Sequence, residues 1–489
     1  MKRFAVNTVK RILKTAVYGA LGVFLALLAV AVYYLDSRPD LRVWHQAALD
    51  AEYTEALPVP DFAAYLALEK ALFAQLEEQV YARVKPQDQG LINRYHRGSL
   101  SDPGRWSSDW NRSFEFSVDT PGAGVLLLHG MSDSPYSLLN LGKRLHQAGS
   151  WVVGLRLPGH GTAPSGLTTV RWQDMAAAVR LAMRHLQEKV GDRPIYVVGY
   201  SNGGALAVHY ALTTLEEPML PPVSGLVLIS PAIGVTPLAA LAVWQARLGH
   251  LLGLPKLEWN VILPEYDPFK YNSFAVNAGD QTYRLTLEIR SRLQALHGAE
   301  ELKRFPPVLA FQSAVDATVS APVLVKELFM GLPSGAHELV LFDINRFTDI
   351  EQILQKDPRL EFEPIFAAPN RPFTLSIVTN ENEQSRSVLV RRKPSGESRI
   401  SETPLGLEWP SGLYSLSHVA VPFPADDPLY GGGGREDSPG IQLGNLALRG
   451  ERGVLRISAS DMLRLRWNPF YPYLERRVLD FLQLPEAAN

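Results

Sequence analysis

The chain has 489 residues, 46% of them hydrophobic and 20% charged, and its formal net charge is −2 at pH 7. This balance gives none of the global basic character that nucleic-acid-binding proteins show, so no nucleic-acid partner is expected. The chain has no cysteine, which excludes disulfides, a thiolate nucleophile and cysteine-based metal sites. By length alone the chain could hold three domains.

The N-terminus combines a basic stretch, residues 1–14, with an uncharged apolar stretch, residues 15–35. A helix over the second stretch would be about 30 Å long, enough to cross the core of a bilayer. The preceding positive charges predict a cytoplasmic N-terminus and a following domain on the other side of the membrane. A cleavable secretory signal, with Ala29-Val30-Ala31 as its cleavage site, is the alternative, but the length of the stretch favours a retained signal-anchor.

Residues 36–89 are predicted to form a linker and a helix. The first part, residues 36–60, is polar and ends in Pro58-Val59-Pro60. Residues 62–84 carry apolar side chains at helical spacing, which predicts a helix that packs on the domain or on the membrane surface, or forms a stalk. Residues 90–120 are predicted to supply early antiparallel strands of a larger sheet.

An apolar run over residues 124–128 predicts a buried strand, and it ends in His129-Gly130-Met131. We expect His129 to hold this loop in place, although an ordinary strand-end histidine fits the pattern equally well.

Gly199-Tyr200-Ser201-Asn202-Gly203 lies between a strand-like run, residues 195–198, and a helix-like run, residues 205–210. A G-x-S-x-G sequence between strand and helix is typical of a nucleophile elbow, in which a tight turn lifts the serine above the sheet. Ser201 is therefore the candidate nucleophile. The backbone N–H groups of Asn202 and Met131 are the natural donors for an oxyanion.

Further strands and helices alternate along the chain, for example a helix over residues 172–190 and a strand over residues 226–230. This alternation predicts a mostly parallel sheet with helices on both faces. Residues 232–305 are expected to form a cap that shapes an acyl pocket or merely attaches to the core. Within it, residues 264–272 line the site entrance or form a structured turn. An apolar cap helix is predicted from Leu238, Leu241, Ala242, Trp244, Leu248, Leu251 and Leu252.

A strand-like run over residues 308–312 precedes Asp316, and His418 follows far downstream. The chain order Ser201, Asp316, His418 is that of the α/β-hydrolase triad. In such a triad the histidine is the general base and the aspartate orients it. Asp316 could instead form a turn. Asp343 is the alternative acid, ranked lower because residues 338–342 are expected to be the last strand before the histidine.

Three other histidines are weaker candidates. His337 precedes a strand and lies at the wrong edge of the sheet, His209 is expected to pack within a helix, and His160 belongs to a loop near the site or to a turn. Asp426 and Asp427 could suggest a metal, but without a third ligand nearby a solvated turn is expected. No metal or cofactor is predicted.

Residues 344–413 form a second insertion, between the expected last strand and His418. A segment of this length usually carries its own structure. Residues 373–379 and 388–391 have strand patterns around a polar turn. They predict a β-hairpin that joins the sheet edge or leans over the site. A final helix is predicted over residues 473–482.

The stretch HGMSDSPYSLLNLGKRLHQAGSWVVGLRLPGHGT, which begins at His129, resembles bacterial membrane-anchored serine hydrolases of the α/β-hydrolase superfamily. The similarity is greatest to the branch of carboxylesterases, monoacylglycerol lipases and serine aminopeptidases. It implies one interrupted α/β-hydrolase domain over residues 90–485. For such a protein, the basic and apolar N-terminal stretches predict an inner-membrane location with an extracytoplasmic catalytic domain. The family's triad maps to Ser201, Asp316 and His418, and its oxyanion donors map to Met131 and Asn202.

The expected function is hydrolysis of carboxylic esters, with acyl or lipid-type substrates, through an acyl-enzyme. The N-terminal helix would make the membrane a partner. The chain could instead be a catalytically silent, membrane-tethered binding module. It could also be a serine aminopeptidase of the same fold, which needs acidic groups in the cap to hold a substrate ammonium. The candidates for that role are Glu258, Glu265, Asp267 and Asp280.

Overall fold

The computed structural model describes residues 2–234, 254–347, 354–433, 438–444, 446 and 455–485, and the side chains from residue 11 onward except 12, 27, 28 and 31. The apolar cap helix predicted around Leu238–Leu252 therefore lies outside the described residues.

A ten-stranded sheet dominates the described chain, in the order β1-β3-β2-β4-β5-β8-β9-β10-β11-β12. All pairs from β3 to β10 are parallel, whereas β1, β11 and β12 pair antiparallel at the two edges. The predicted mostly parallel sheet is thus confirmed. The strands are β1 Phe114–Phe116, β2 Ala123–Leu128, β3 Ser150–Leu155, β4 Ile195–Tyr200, β5 Gly225–Ile229, β6 Trp259–Val261, β7 Phe274–Ala275, β8 Val308–Ser313, β9 Glu338–Phe342, β10 Thr374–Asn380, β11 Ser387–Lys393 and β12 Ser401–Glu408.

Helices cover both faces of this sheet, as predicted. Successive residues of a strand point to opposite faces, so Leu126 belongs to the core under α5, α6 and α7, whereas Leu127 belongs to the core under α4 and α11. The helices are α1 Lys2–Ser37, α2 Val43–Gln46, α3 Phe62–Gln79, α4 Leu139–Gln147, α5 Trp172–Val190, α6 Asn202–Glu216, α7 Val276–Ala295, α8 Ala321–Glu327, α9 Arg359–Ala367, α10 Ala459–Met462 and α11 Tyr471–Phe481.

Helix α1 contains the predicted transmembrane stretch, residues 15–35. Over the part of the chain that the structure describes, no helix reaches the combination of length and apolar character needed to cross a membrane. The transmembrane prediction therefore lacks support. The extracytoplasmic location inferred from the same stretch stays a prediction.

Helix α3 packs on the domain and is not a stalk. It begins where the Asp61 carboxylate accepts a hydrogen bond from the Ala64 N–H at 2.8 Å, which caps the helix. Phe62 and Tyr65 are buried in the core beneath α5. Of residues 90–120, only β1 is a strand, because turns occupy most of the remainder.

The second insertion extends the sheet sideways. β10 pairs parallel with β9, and β10 and β11 form the predicted hairpin, so the hairpin joins the sheet edge. The expectation that residues 338–342 form the last strand before the histidine is therefore wrong. Sequence analysis also missed β12, whose side chains are mostly exposed and which contains Pro404 and Gly406. Such residues are tolerated at an edge but hide the strand pattern.

Candidate active site

Ser201 occupies a strained turn between β4 and α6. Its φ of 51° and ψ of −116° are costly for a residue with a side chain, and such strain persists only where the surroundings enforce it. The flanking glycines are required by close packing. A Cβ on Gly203 would lie 2.7 Å from the His129 carbonyl oxygen, and one on Gly199 would lie 2.6 Å from the Gly203 carbonyl carbon. The sequence motif thus folds into a nucleophile elbow.

Ser201, His418 and Asp316 form one chain of hydrogen bonds. His418 Nε2 lies 3.1 Å from Ser201 Oγ, and His418 Nδ1 lies 2.7 Å from Asp316 Oδ2. The histidine is 5% exposed and the aspartate side chain is fully buried. The structure therefore brings together the three residues predicted from the sequence. Their contacts follow the order that a serine nucleophile, a base and an orienting acid require.

The Asp316 carboxylate is held on both oxygens. Oδ1 accepts the N–H groups of Thr318 at 2.7 Å and Val319 at 3.0 Å, and Oδ2 accepts from Gln312 Nε2 at 2.8 Å as well as from His418. Burial acts to raise the pKa of Asp316, but interaction with His418 and the hydrogen bonds from the Val319 and Thr318 N–H groups outweigh it, so the pKa lies below the ordinary value. Asp316 is consequently a carboxylate at neutral pH.

Asp343, the alternative acid, is engaged elsewhere. Its Oδ1 lies 2.7 Å from Arg346 Nη2, and its Oδ2 accepts from Thr379 Oγ1 at 2.9 Å. Among the described residues, the carboxylate that His418 contacts is that of Asp316.

The predicted oxyanion donors lie next to the nucleophile. Asn202 is the first residue of α6, where the partial positive charge of a helix N-terminus is concentrated. A Cβ on Gly130 would lie 3.2 Å from Ser201 Cβ, so the loop that carries Met131 passes directly beside the serine. Within the described chain, neither the Met131 N–H nor the Asn202 N–H donates to a protein acceptor. Both donors are therefore available to a substrate oxygen.

His129 joins two loops next to the site. Its Nε2 accepts the Leu157 N–H at 3.0 Å, and its Nδ1 lies 2.8 Å from the Gly130 carbonyl oxygen. These partners require the neutral ring with the proton on Nδ1. Burial holds the pKa of His129 well below its usual range, which agrees with the neutral form. His129 thus has the structural role predicted for it.

The remaining histidines lie apart from the triad. His160 is fully buried, its Nδ1 is 2.8 Å from the Pro158 carbonyl oxygen, and burial lowers its pKa to about 4. His209 packs edge-on against Trp172, with ring centroids 5.1 Å apart. His337 directly precedes β9 and so lies at the amino end of this strand, whereas the elbow lies at the carboxyl end of β4.

A small cavity of about 20 Å³ lies beside the nucleophile. Lys270, from the segment of residues 264–272, lines it together with Tyr200 and Val419, the chain neighbours of Ser201 and His418. That the segment lines the site entrance stays a prediction. Lys270 Nζ lies 2.6 Å from Asp133 Oδ1, and this ion pair was missed by sequence analysis because its partners are far apart in the chain. The cavity is lined by Asp133, Tyr200, Lys270, Val419, Phe423, Tyr430 and Arg466.

Asp427 is not in the solvated turn that was predicted. It is buried, and its carboxylate accepts from Asn140 Nδ2 at 2.6 Å, from Tyr136 Oη at 3.1 Å and from the Tyr430 N–H at 2.7 Å. The side chain therefore anchors the loop that carries Tyr430 into the cavity wall.

Part of the chain is similar to known proteins. Residues 119–343 match the family described as "Serine aminopeptidase, S33". The chain is 26% identical over 225 residues to the thermostable monoacylglycerol lipase of Bacillus sp. (strain H-257), which covers 46% of this chain and 82% of that protein. It is also 26% identical over 148 residues to phospholipase YtpA of Bacillus subtilis (strain 168), covering 30% of this chain and 51% of the relative.

Two solved structures are similar to about half of the chain. The lipolytic enzymes LipS and LipT, of metagenomic origin, provide a structure that is 23% identical, with a TM-score of 0.37 and coverage of 48% of this chain and 88% of that one. The monoacylglycerol lipase of Paleococcus ferrophilus is 22% identical, with a TM-score of 0.35 and coverage of 47% and 87%. The sheet order and the turn at Ser201 define an α/β-hydrolase fold, and the family match covers the part of the chain that contains β2 to β9.

Proposed function

We propose that this protein is a serine hydrolase that cleaves carboxylic esters through an acyl-enzyme. The observation that carries the proposal is the continuous hydrogen-bond chain from Ser201 through His418 to Asp316, placed at a strained elbow. A merely structural serine has no need of an adjacent imidazole oriented by a buried carboxylate. A strained backbone is also retained most often where the strain serves function.

The first half-reaction follows from the distances. His418 Nε2 takes the proton of Ser201 Oγ as the oxygen attacks the ester carbonyl carbon, and the carbonyl oxygen becomes an oxyanion. The Met131 and Asn202 N–H groups stabilise this oxyanion, and each such donor is worth about 3–4 kcal/mol in the transition state. The imidazolium then protonates the departing alcohol, which leaves an ester between the acyl group and Ser201.

The second half-reaction returns the enzyme to its starting state. His418 takes a proton from a water that attacks the acyl carbon, and then gives that proton to Ser201 Oγ as the carboxylic acid leaves. Asp316 remains ionised throughout. It stabilises the imidazolium in each tetrahedral stage and keeps the ring proton on Nδ1.

The acidic residues of the first insertion favour an ester over an aminopeptidase substrate. Asp267 accepts from Tyr430 Oη at 2.7 Å and Glu265 accepts the Ser273 N–H at 2.9 Å, and both are buried. Asp280 forms an ion pair with Arg284 at 2.7 Å. Glu258 lines a separate cleft. Glu265, Asp267 and Asp280 thus already have partners within the protein, and we rank an ester above an aminopeptidase substrate.

The names of the relatives support acyl or lipid-type substrates, such as a monoacylglycerol or a lysophospholipid. The test is a matched panel of acyl esters with short and long chains, a monoacylglycerol and an aminoacyl anilide, assayed with wild-type protein and with Ser201→Ala. Ester turnover that disappears in the variant supports the proposal. Turnover of the anilide alone would establish the aminopeptidase, and no turnover of any substrate would favour a binding module.

A further inference from the structure

Gln312 contacts the Asp316 carboxylate, and the proposed mechanism gives this contact no role. It lies near the carboxyl end of β8, four residues before Asp316, and is fully buried in a strand whose other members are mostly apolar. Its Nε2 donates to Asp316 Oδ2 at 2.8 Å and to the Val319 carbonyl oxygen at 3.1 Å. The acceptor Oδ2 is the same oxygen that receives His418 Nδ1.

The orientation of the Gln312 amide is fixed by its partners. Both neighbours of Nε2 are acceptors, so exchanging the amide nitrogen and oxygen would place oxygen against two other oxygens. In this orientation Gln312 Oε1 is buried and has no hydrogen-bond partner among the described residues. Buried polar atoms without partners are uncommon and costly, and in native structures each calls for an explanation. Here the orphaned oxygen is the consequence of directing the amide N–H groups at Asp316 and Val319.

We propose that Gln312 is a positioning residue for the triad. This inference rests on the proposed function. The two backbone N–H groups hold only Oδ1, so the Gln312 amide is the contact within the protein, besides His418 itself, that fixes where Oδ2 lies. By tying Oδ2 to the Val319 carbonyl oxygen through one amide group, Gln312 sets the direction in which the carboxylate meets the imidazole. The side chain acts through Asp316 and touches neither substrate nor Ser201.

The substitution Gln312→Leu separates positioning from stability. Leucine has a similar volume and removes both donors. It abolishes the orphaned Oε1 but leaves the Val319 carbonyl oxygen without a donor, so the unfolding temperature changes little. Gln281→Leu is the matched control, because Gln281 is also buried but bonds to the Trp172 N–H and to Asn277 and to no residue of the triad. That control lowers the unfolding temperature and leaves the chemistry intact.

The readout is the second-order rate at which a fluorophosphonate labels Ser201, measured across pH for the whole protein. The Gln312→Leu protein labels about 10-fold to 100-fold more slowly, a loss of the size that misplacing a catalytic group by about 1 Å produces. The low-pH limb of its profile also moves to lower pH, because a misaligned carboxylate stabilises the imidazolium less. In the proton NMR spectrum, the downfield resonance of the His418 Nδ1–H shifts upfield.

The outcomes separate this inference from the proposed function. If wild-type protein is not labelled, the proposed function fails. If wild type is labelled and Gln312→Leu shows the same rate, the same pH profile and the same downfield resonance, Gln312 only fills space and the inference is overturned.

Discussion

His418 Nδ1 and Asp316 Oδ2 lie 2.7 Å apart although 102 positions, including an entire added hairpin, separate the two residues in the chain. The contact is kept because the insertion extends the sheet sideways and then returns past the carboxyl ends of the parallel strands. Asn345 N–H donates to the Tyr414 carbonyl oxygen at 2.7 Å, and Ser313 Oγ donates to the Leu416 carbonyl oxygen at 2.8 Å. The returning segment is therefore fastened to the ends of β8 and β9 just before it delivers His418.

Replacing Asp316 by Asn is expected to lower kcat by about 10³–10⁴-fold. The amide keeps the volume of the side chain but presents a wrong hydrogen-bond pattern to His418 Nδ1 and no longer stabilises the imidazolium. Steady-state ester hydrolysis with purified protein measures the loss.

Asp343→Asn is the matched control for that change. It weakens the ion pair with Arg346 and so lowers the unfolding temperature, but kcat per folded molecule stays close to wild type. If Asp343→Asn were the variant that loses activity and Asp316→Asn did not, the assignment of the acid would be reversed.

Replacing Lys270 by Met is expected to slow ester hydrolysis roughly 10-fold or more. The change leaves the buried Asp133 carboxylate without its ion-pair partner beside the loop that carries Met131, and a like charge there raises the energy of the developing oxyanion. The kcat of the two proteins is compared at one pH.

The double variant Lys270→Met with Asp133→Asn tests the electrostatic reason. Removing both charges relieves the repulsion, so the double variant recovers most of the lost rate. A double variant as slow as Lys270→Met alone would show that Lys270 acts through its shape or through another contact.

Replacing Gly203 by Ala is expected to destabilise the fold by at least about 1–3 kcal/mol and to remove activity. The added methyl group would overlap the Leu128 carbonyl group and lie 2.7 Å from the His129 carbonyl oxygen, and backbone atoms cannot move aside cheaply. Gly90→Ala is the control, because a Cβ there has no neighbour within 4 Å. Equal unfolding temperatures for the two variants would contradict the described elbow packing.

The free energy of unfolding is expected to fall as the pH decreases from about 6.5 toward 3, partly through His209. Burial lowers the pKa of this histidine to about 3, so over this window the unfolded chain binds a proton that the folded chain does not. His209→Gln removes that difference and flattens the dependence by up to about 1.4 kcal/mol per pH unit. Urea unfolding of the wild-type and His209→Gln proteins at several pH values measures the two slopes, and equal slopes would contradict this role of His209.

The parts of the fold that were predictable are those encoded in short stretches. The apolar runs that form β2, β4 and β8 are buried on both faces, so their composition predicts central strands. The elbow was predictable because Gly199 and Gly203 are demanded by its geometry, and the chain order of Ser201, Asp316 and His418 then suggested the other two residues.

The parts that were not predictable depend on how distant segments meet. Strand order depends on tertiary structure, and no pattern within residues 338–342, which form β9, predicts that β10 pairs with this strand. The Lys270–Asp133 ion pair joins segments 137 positions apart, and no pattern within either segment indicates that the two meet. Gln312 did carry a local sign, because a polar residue inside a buried strand needs a partner.

Labelling by a fluorophosphonate tests directly whether Ser201 is an activated nucleophile, since the reagent reacts only with a serine activated by its surroundings. If the triad works, wild-type protein is labelled and Ser201→Ala is not. His418→Ala then loses nearly all labelling while remaining folded. Undiminished labelling of His418→Ala, or no labelling of folded wild-type protein, would contradict the assignment of a working triad to these three residues.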